Sequence, residues 1–247
     1  MPDIHHIVSR QVGRWMQDRE FQERALREHR ETLRLCEAKP VVTVSRQRGS
    51  RGHELAKLLA HELNYGLFDH TIVNYIADHI GVRSELIESL DERNRSELEL
   101  WIQGMLSGKI FSHDNYIHAL IEVIKTVFLQ GGVVIVGRGA NYILAGTHAF
   151  HLRVIAPEKE RIRNLVELEG MTESQAVAEI KRVDPERADF VKRYFHADIN
   201  DPLHYDLVIN MARTSLDAAV KTVLTALRAR GWKMELTGGD KRAKVTT

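Results

Sequence analysis

The stretch between residues 41 and 55 carries the residue types that bind phosphate groups. An apolar, β-rich run ends in a polar loop with two glycines, and the loop opens directly into a helical pattern of leucines. A strand, a glycine loop and a helix N-terminus together present backbone N–H groups to an anion. Arg46, Arg48 and Arg51 add positive charge at the same place. The stretch therefore predicts a nucleotide-phosphate site, with Arg48 and Arg51 as the expected side-chain contacts.

The same loop departs from the phosphate-loop pattern G-x-x-x-x-G-K-[ST], because Gly52 is followed by His53 and Glu54. A histidine that is neutral at pH 7 supplies no fixed charge. In one interpretation the loop cradles phosphate and the neighbouring arginines replace the missing lysine. In the other, the loop is a tight strand-to-helix turn whose glycines serve geometry alone.

A second glycine-rich segment follows a predicted buried strand. Residues 133–136 form a continuous apolar run, which is typical of a strand covered on both faces. Gly137, Arg138 and Gly139 come directly after it. The glycines allow the backbone to approach a ligand, and the guanidinium can fork onto a phosphate. We interpret Arg138 as a phosphate ligand, and the alternative is a surface arginine in a turn.

Two further groups of polar residues lie near predicted strand ends. Asp69 follows a short strand, where it can bind a metal ion, orient an acceptor or cap the helix that begins near Thr71. A dense, mostly basic region lies between the fourth and fifth strands and contains Arg161, Arg163, Lys181, Arg182, Asp184, Arg187, Lys192 and Arg193. This region is either a solvated charged face or a lid that reaches the phosphates.

The order of the elements indicates how these residues are positioned. Short apolar strands alternate with helical patterns without a hairpin signal, which is typical of βαβ units. We therefore predict an α/β fold with a five-stranded parallel sheet and helices on both faces. The predicted strands cover residues 41–45, 67–69, 133–136, 150–156 and 206–210. Because ligands bind at the carboxyl ends of such strands, the glycine loop, Asp69 and Arg138 are expected at one edge.

Capping and breaking residues predict several helix boundaries. A capping-box pattern starts residues 172–183, which predicts a helix there. Pro185 suits the first turn of a separate helix over residues 185–198. An earlier helical stretch is expected to break at residues 81–82, and residues 91–99 are expected to form a charged, exposed piece.

The composition excludes several classes of function. The 35 Lys and Arg residues nearly balance 34 Asp and Glu residues, so the whole molecule is not a polyanion binder. The single cysteine, Cys36, excludes an internal disulfide and fits a reducing compartment. The chain shows no secretory signal, no run of the roughly 20 apolar residues that span a membrane, and no zinc-type histidine spacing. We expect a cytoplasmic protein that binds neither nucleic acid nor a membrane.

The two ends of the chain lie outside the predicted main domain, which covers residues 41–232. Residues 1–40 predict one or two amphipathic helices. These helices either pack on the main domain or mediate self-association or binding of a partner protein. Residues 233–247 predict a disordered tail.

With these residues assembled, the sequence resembles the cytidylate kinase-like family, a branch of the P-loop nucleoside monophosphate kinases, from about residue 41 to residue 232. The likeness rests on residues 43–52 with the helix that follows, 68–69, 134–140, Asp184 with Arg187, and 205–210. The segments are fairly specific together, and none is specific alone. The resemblance implies a three-layer α/β/α fold of the P-loop NTPase type.

The resemblance further implies transfer of the ATP γ-phosphate to CMP or dCMP with Mg²⁺. The resemblance does not identify the residues that bind Mg²⁺. From their positions in the sequence, residues 70–130 match the acceptor-binding insert of the family, approximately, and residues 170–200 match its lid. The implied nucleotide-binding residues are Arg48, Gly49, Ser50, Arg51, Gly52 and His53. The implied catalytic residues are Asp69, Arg138, Arg182 and Arg187, with Arg193 as a further lid candidate.

Two alternatives stay open at this stage. If the neighbouring arginines do not replace the missing lysine, the protein is a catalytically weak regulator that binds nucleotide without turnover. The same motifs also permit a kinase for another small acceptor, because a fold does not determine the substrate.

Overall fold

A computed structural model describes residues 40–107 and 115–232 of the chain. The predicted interaction helices of residues 1–40, apart from the final proline, and the predicted tail of residues 233–247 lie outside the described residues. Within the described ranges, no helix has the length and apolarity needed to cross a membrane.

The described chain forms two compact units. Residues 40–68 with 132–232 form the larger unit, and residues 69–131 form the smaller one. The strands of the larger unit are β1 (Val41–Arg46), β2 (Gly66–Phe68), β3 (Val133–Val136), β4 (Phe150–Ile155) and β5 (Leu207–Asn210). They make one sheet in the order β2-β3-β1-β4-β5, and every neighbouring pair is parallel. The predicted α/β fold with five parallel strands is therefore confirmed.

Helices of the larger unit pack against its sheet. The helices of the described chain are α1 (Gly52–Leu63), α2 (His70–Asp78), α3 (Ile80–Glu88), α4 (Glu92–Ser107), α5 (Asn115–Gln130), α6 (Ala140–Ile143), α7 (Glu158–Glu169), α8 (Glu173–Phe195) and α9 (Leu216–Ala229), with a 3₁₀ turn at Pro202–His204. Leu55 and Leu59 of α1 are fully buried in one core with Val44 of β1 and Val223 of α9. This core holds the start of α1 directly after the end of central strand β1.

One continuous helix, α8, replaces the two helices that capping and proline signals predict for residues 172–198. The predicted capping box is present at its start, and the helix then runs through Pro185. The predicted break was wrong because tertiary contacts hold the chain on both sides of the proline. Asp184 and Arg187 each bind the loop that follows β1. These contacts offset the one helical hydrogen bond that proline cannot donate.

The smaller unit, residues 69–131, contains α2 to α5. The break between α2 and α3 lies at His79, which has an extended backbone, and not at residues 81–82 as predicted. Glycine destabilises a helix mainly when it lies in the helix interior, whereas Gly81 lies in the first turn of α3. The predicted exposed piece over residues 91–99 is mostly helical, because the carboxylate of Asp91 caps the start of α4. A role of this unit in acceptor binding stays a prediction.

Candidate phosphate-binding site

The loop between β1 and α1 is anchored to the carboxyl end of β4. The backbone N–H of Gln47 donates to the carbonyl of Val154 (3.1 Å), and its side-chain Oε1 accepts the N–H of Ala156 (3.0 Å). The Ser50 hydroxyl donates to the carbonyls of Gln47 (2.9 Å) and Val154 (3.2 Å) and is fully buried. Ser50, predicted as a nucleotide ligand, therefore directs its hydroxyl into the loop's own backbone.

Both loop glycines stand where a side chain would collide with the protein. Gly49 has φ +77°, and a Cβ there would lie 2.6 Å from the carbonyl oxygen of Arg161. Asn164 donates to the Gly49 carbonyl at 2.9 Å. A Cβ on Gly52 would lie 2.5 Å from the Cβ of Arg46. These close approaches restrict the conformation of the loop. A restricted loop agrees with a purely geometric role for the glycines, and it is equally compatible with a loop that binds phosphate through its backbone N–H groups.

Arg48, a predicted phosphate contact, is bound by two carboxylates. Its guanidinium donates two hydrogen bonds of 2.6 Å to Glu169 at the end of α7. Its Nε donates to Glu179 of α8 at 3.2 Å. Hydrogen bonding to Glu169 raises the pKa of Arg48 above its ordinary value, against the effect of burial. In this structure the positive charge of Arg48 is therefore compensated by the protein itself.

Arg51 is compensated in the same way. It precedes α1 in a left-handed conformation (φ 62°), and its guanidinium binds the carboxylate of Glu54 at 2.8 Å. His53 is the second residue of α1, at a helix N-terminus, where the helix dipole favours an anion. Both arginines that the sequence assigns to phosphate contacts are thus paired with glutamates.

The carboxylate of Asp184 lies against the glycine loop. Its Oδ1 accepts the backbone N–H of Arg48 at 2.8 Å, and its Oδ2 pairs with the guanidinium of Arg161. Arg187 lies 3.7 Å from Oδ1. A loop N–H group and two guanidinium groups are the contacts that a phosphate oxygen also prefers. The loop therefore binds an anionic oxygen in this structure, and that oxygen comes from α8.

Arg187 reaches from α8 to the end of β1. Its Nη1 donates to the carbonyl of Arg46 at 3.0 Å. Burial lowers the pKa of Arg187 to about 10, although the neighbouring carboxylate of Asp184 opposes the shift. Repulsion from three other arginines lowers it further, and these are Arg48, Arg153 and Arg138. With a pKa of about 10, Arg187 remains charged at neutral pH inside a strongly cationic environment.

The glycines after β3 permit two close contacts. Gly137 (φ +83°) lies under the guanidinium of Arg46, and a Cβ there would collide with Nη1. Gly139 (φ +65°) lies under the ring of Phe195, the last residue of α8. The segment thus brings the ends of β1, β3 and α8 together, as expected for motifs at one edge of the sheet.

Arg138 stands between these glycines with a left-handed backbone (φ 51°). Its Cζ lies 6.0 Å from the centre of the Phe190 ring. Its Nε is buried and has no hydrogen-bond partner among the described residues. A buried N–H donor without a partner is rare in folded proteins and marks a place where a ligand can bind. Arg138 as a phosphate ligand stays a prediction.

Arg153 was not among the residues singled out from the sequence. It lies in the middle of β4, is only 4% exposed, and donates to the Ser45 hydroxyl (2.8 Å) and to Oδ1 of Asn200 (3.1 Å). Its Cζ lies 5.8 Å from the centre of the Tyr205 ring. The sequence contains one indication of it, a single charged residue in an otherwise largely apolar strand. Because charged side chains are rarely buried, this pattern indicates a buried charge with a structural or functional role.

Two other predicted residues have partners close to them in the sequence. Arg182 is exposed on α8 and pairs with Glu179 and Glu186 of the same helix. Asp69 belongs to the smaller unit and caps α2, where its carboxylate accepts the N–H groups of Thr71 (3.0 Å) and Ile72. Helix capping was one of the three roles predicted for Asp69, and the structure shows Asp69 in that role. Catalytic roles for Arg182 and Asp69 stay predictions.

The described residues do not offer Mg²⁺ a ready-made site. They contain no group of three or more His, Cys, Asp or Glu side chains that could hold a metal ion. The two carboxylates beside the loop, Glu54 and Asp184, are each engaged by arginines. Protein sites for Mg²⁺ commonly use one or two carboxylates together with substrate phosphates.

Comparison with known proteins gives a consistent result. The model of the "Cytidylate kinase-like family" matches residues 41–213 of this chain. A curated protein named cytidylate kinase, from Aeropyrum pernix, is 29% identical over 103 residues, which cover 41% of this chain and 59% of that protein. The chain thus spans less than two thirds of that relative's length.

The fold itself also occurs in a solved structure. The crystal structure of an uncharacterized protein from Eubacterium ventriosum superimposes with a TM-score of 0.59 at 19% identity. The match covers 78% of this chain and 100% of that chain. At this level of identity, the similarity shows a shared fold and nothing about activity.

Proposed function

This chain belongs to the cytidylate kinase-like family, and on that premise we propose that it transfers the γ-phosphate of ATP to a nucleoside monophosphate, CMP or dCMP. The observation that carries the proposal is a cluster of arginines contributed by the carboxyl ends of β1 and β3, by the middle of β4 and by α8. Its members are Arg46, Arg138, Arg153 and Arg187. Such a cluster suits a reaction between two polyanions.

The chemistry requires fixed positive charge more than a covalent partner. In phosphoryl transfer, negative charge spreads over the oxygens of the moving group, and catalysis depends on positioning and electrostatic stabilisation. Arg187 is held by the carbonyl of Arg46 and is charged at neutral pH. Arg138 has a buried donor with no partner among the described residues. In the proposal, both donate to oxygens of the reacting phosphates, those of the acceptor and of the transferring phosphoryl group.

The donor nucleotide is proposed to bind at the loop and at the N-terminus of α1. Backbone N–H groups and the helix dipole favour phosphate there. Because the Asp184 carboxylate accepts the N–H of Arg48, it must move before a phosphate oxygen takes that position. Mg²⁺ is proposed to arrive bound to ATP, because protein sites for Mg²⁺ commonly use one or two carboxylates together with substrate phosphates.

A second candidate function rests on the charge state of the loop. Arg48 and Arg51 are both paired with glutamates, and His53 stands where a lysine is expected. If these pairs persist with nucleotide bound, the loop contributes only backbone donors. The protein would then bind ATP without turnover and act as a regulator. A kinase for another small acceptor is the third candidate, since the smaller unit shows no recognisable base-binding pattern.

The test is ADP release from ATP by the full-length chain across all common nucleoside and deoxynucleoside monophosphates. We expect turnover with CMP or dCMP that is strongly reduced in Arg138→Ala and Arg187→Ala variants purified in the same way. Turnover with a different acceptor only would select the third candidate. ATP binding by calorimetry without any turnover would select the regulator, whose partner contact should then be lost on deleting residues 1–40.

Arg182 provides a graded prediction for the same assay. We expect Arg182→Ala to lower kcat/KM by less than about threefold, because exposed ion pairs such as those with Glu179 and Glu186 contribute little. A loss comparable to that of Arg187→Ala would mean that Arg182 leaves these glutamates and contacts the phosphates during turnover.

The proposed setting is the cytoplasm, where a single cysteine, Cys36, remains reduced. The proposed ligands are small nucleotides and not nucleic acid. Self-association or partner binding through residues 1–40 is part of the proposal only for the regulator.

A further inference from the structure

Arg153 is a buried charge without a counter-ion. It is 4% exposed, and no carboxylate of the described residues lies within 4.0 Å of its guanidinium. Arg138 also has no such partner. Arg48, Arg51 and Arg161 differ, because each of them pairs with an aspartate or glutamate. Among the described residues, the larger unit therefore compensates Arg48, Arg51 and Arg161 and leaves Arg138 and Arg153 uncompensated.

Leaving a buried cation uncompensated is energetically unfavourable. Burial of a charge costs free energy unless an opposite charge and hydrogen bonds offset it. Here the cost is increased by Arg187, whose only carboxylate partner among the described residues is Asp184 at 3.7 Å. Three buried or half-buried guanidiniums therefore share one distant carboxylate among the described residues, and this charge balance favours binding of an anion.

We propose that Arg153, together with Arg138 and Arg187, binds the dianionic phosphate monoester of the acceptor. The inference rests on the proposed phosphotransferase function, and it adds a residue from the interior of β4 to the phosphate-binding set. A phosphate monoester carries close to two negative charges at pH 7, which two uncompensated arginines match. Arg153 also has N–H groups left for a ligand. A guanidinium has five N–H groups, and the described residues accept two hydrogen bonds from that of Arg153.

The surroundings of Arg153 hold its guanidinium in place before any ligand binds. The Ser45 hydroxyl accepts from Arg153 and lies 3.4 Å from the hydroxyl of Tyr205, which donates to the carbonyl of Ile199. The Tyr205 ring also faces the guanidinium. Fixed neighbours reduce the entropy lost when a ligand binds, so the position is preorganised for an anion.

The test compares Arg153→Gln with a matched control, Arg230→Gln, in the full-length protein. Arg230 also faces an aromatic ring (Phe150, 5.4 Å) and also donates to two protein oxygens, but one of these belongs to the carboxylate of Asp206. We expect inorganic phosphate to raise the Tm of the native protein and of Arg230→Gln, and not that of Arg153→Gln. Without phosphate, Arg153→Gln should unfold at or above the native Tm, whereas Arg230→Gln should unfold below it.

The kinetic arm separates the acceptor phosphate from the phosphates of ATP. We expect Arg153→Gln to raise KM for the acceptor about 10- to 100-fold with KM for ATP unchanged, because a charge-assisted hydrogen bond to a dianion is lost. Arg153→Lys should recover part of that loss and part of the phosphate stabilisation. A rise in KM for ATP alone would overturn the assignment to the acceptor.

The two proposals fail in different ways. If no monophosphate is turned over but Arg153→Gln still loses the phosphate-dependent rise in Tm, the proposed function fails and the anion site stands. If turnover occurs and Arg153→Gln keeps both its acceptor KM and its phosphate stabilisation, the anion site is refuted and the function stands. Should Arg153→Gln fail to fold, Arg153→Lys takes its place, and a native acceptor KM together with an undiminished phosphate-dependent rise in Tm in that variant would refute the anion site.

Discussion

Replacing Arg187 with alanine is expected to lower kcat/KM for phosphoryl transfer about 10³-fold. Arg187 is the residue of α8 that reaches the end of β1, where its Nη1 binds the carbonyl of Arg46. Burial and neighbouring arginines lower its pKa to about 10, so its charge is retained at the pH of the assay. In water-poor surroundings, a fixed charge stabilises a developing anion far more than it does at the surface.

The fold should survive this change. Arg187 is repelled by nearby arginines, so its removal relieves unfavourable interactions as well as removing one hydrogen bond and the 3.7 Å ion pair with Asp184. The matched control is Arg163→Ala, because Arg163 is exposed on α7 and its ion pairs among the described residues are with glutamates of its own helix. We expect native-like kinetics from the control. A Tm of Arg187→Ala near that of the native protein, combined with full activity, would contradict the role proposed for Arg187.

Gly49→Ala is expected to destabilise the protein by about 2–4 kcal/mol and to lower kcat/KM for ATP about 10²-fold. Two effects combine at this residue. Its φ of +77° is costly for any residue with a Cβ, and that Cβ would lie 2.6 Å from the carbonyl oxygen of Arg161. The contact is to backbone, which cannot rotate away, so the loop itself must move.

Gly146→Ala separates these two effects. Gly146 has nearly the same φ, +75°, but a Cβ there would meet no atom within 4 Å. We expect this variant to lose only about 1 kcal/mol of unfolding free energy and to keep its kinetics. Chemical denaturation and ATP titrations of both variants give the comparison. Equal losses of unfolding free energy and of kcat/KM in the two variants would show that the close approach of Gly49 to Arg161 does not matter for the loop.

The contacts of α7 and α8 with the loop have a consequence for the catalytic cycle. Glu169, Glu179 and Asp184 together bind the side chain and the N–H of Arg48. For Arg48 to contact a phosphate, it must exchange at least one of these carboxylates for the ligand. In the proposed function, binding of ATP is therefore coupled to movement of these carboxylates.

Much of the fold could be predicted because its signals are local. Each strand is a short run of mostly apolar residues, and the capping box at the start of α8 lies within four residues. Parallel strands then bring their carboxyl ends to one edge, which predicts that the glycine loop and Arg138 approach each other. The Arg51–Glu54 pair is also local and could have been predicted from its spacing of three residues.

By itself, the sequence determined the α/β fold, the glycine loop at the end of β1 and the strand-end position of Arg138. Only the tertiary structure decided which arginines keep an uncompensated charge. Arg48 is paired with glutamates 121 and 131 residues further along the chain, whereas Arg153 is buried without a carboxylate partner among the described residues. The physical reason is that secondary structure depends on residues a few positions apart. Charge compensation depends on which side chains the completed fold brings within a few ångströms.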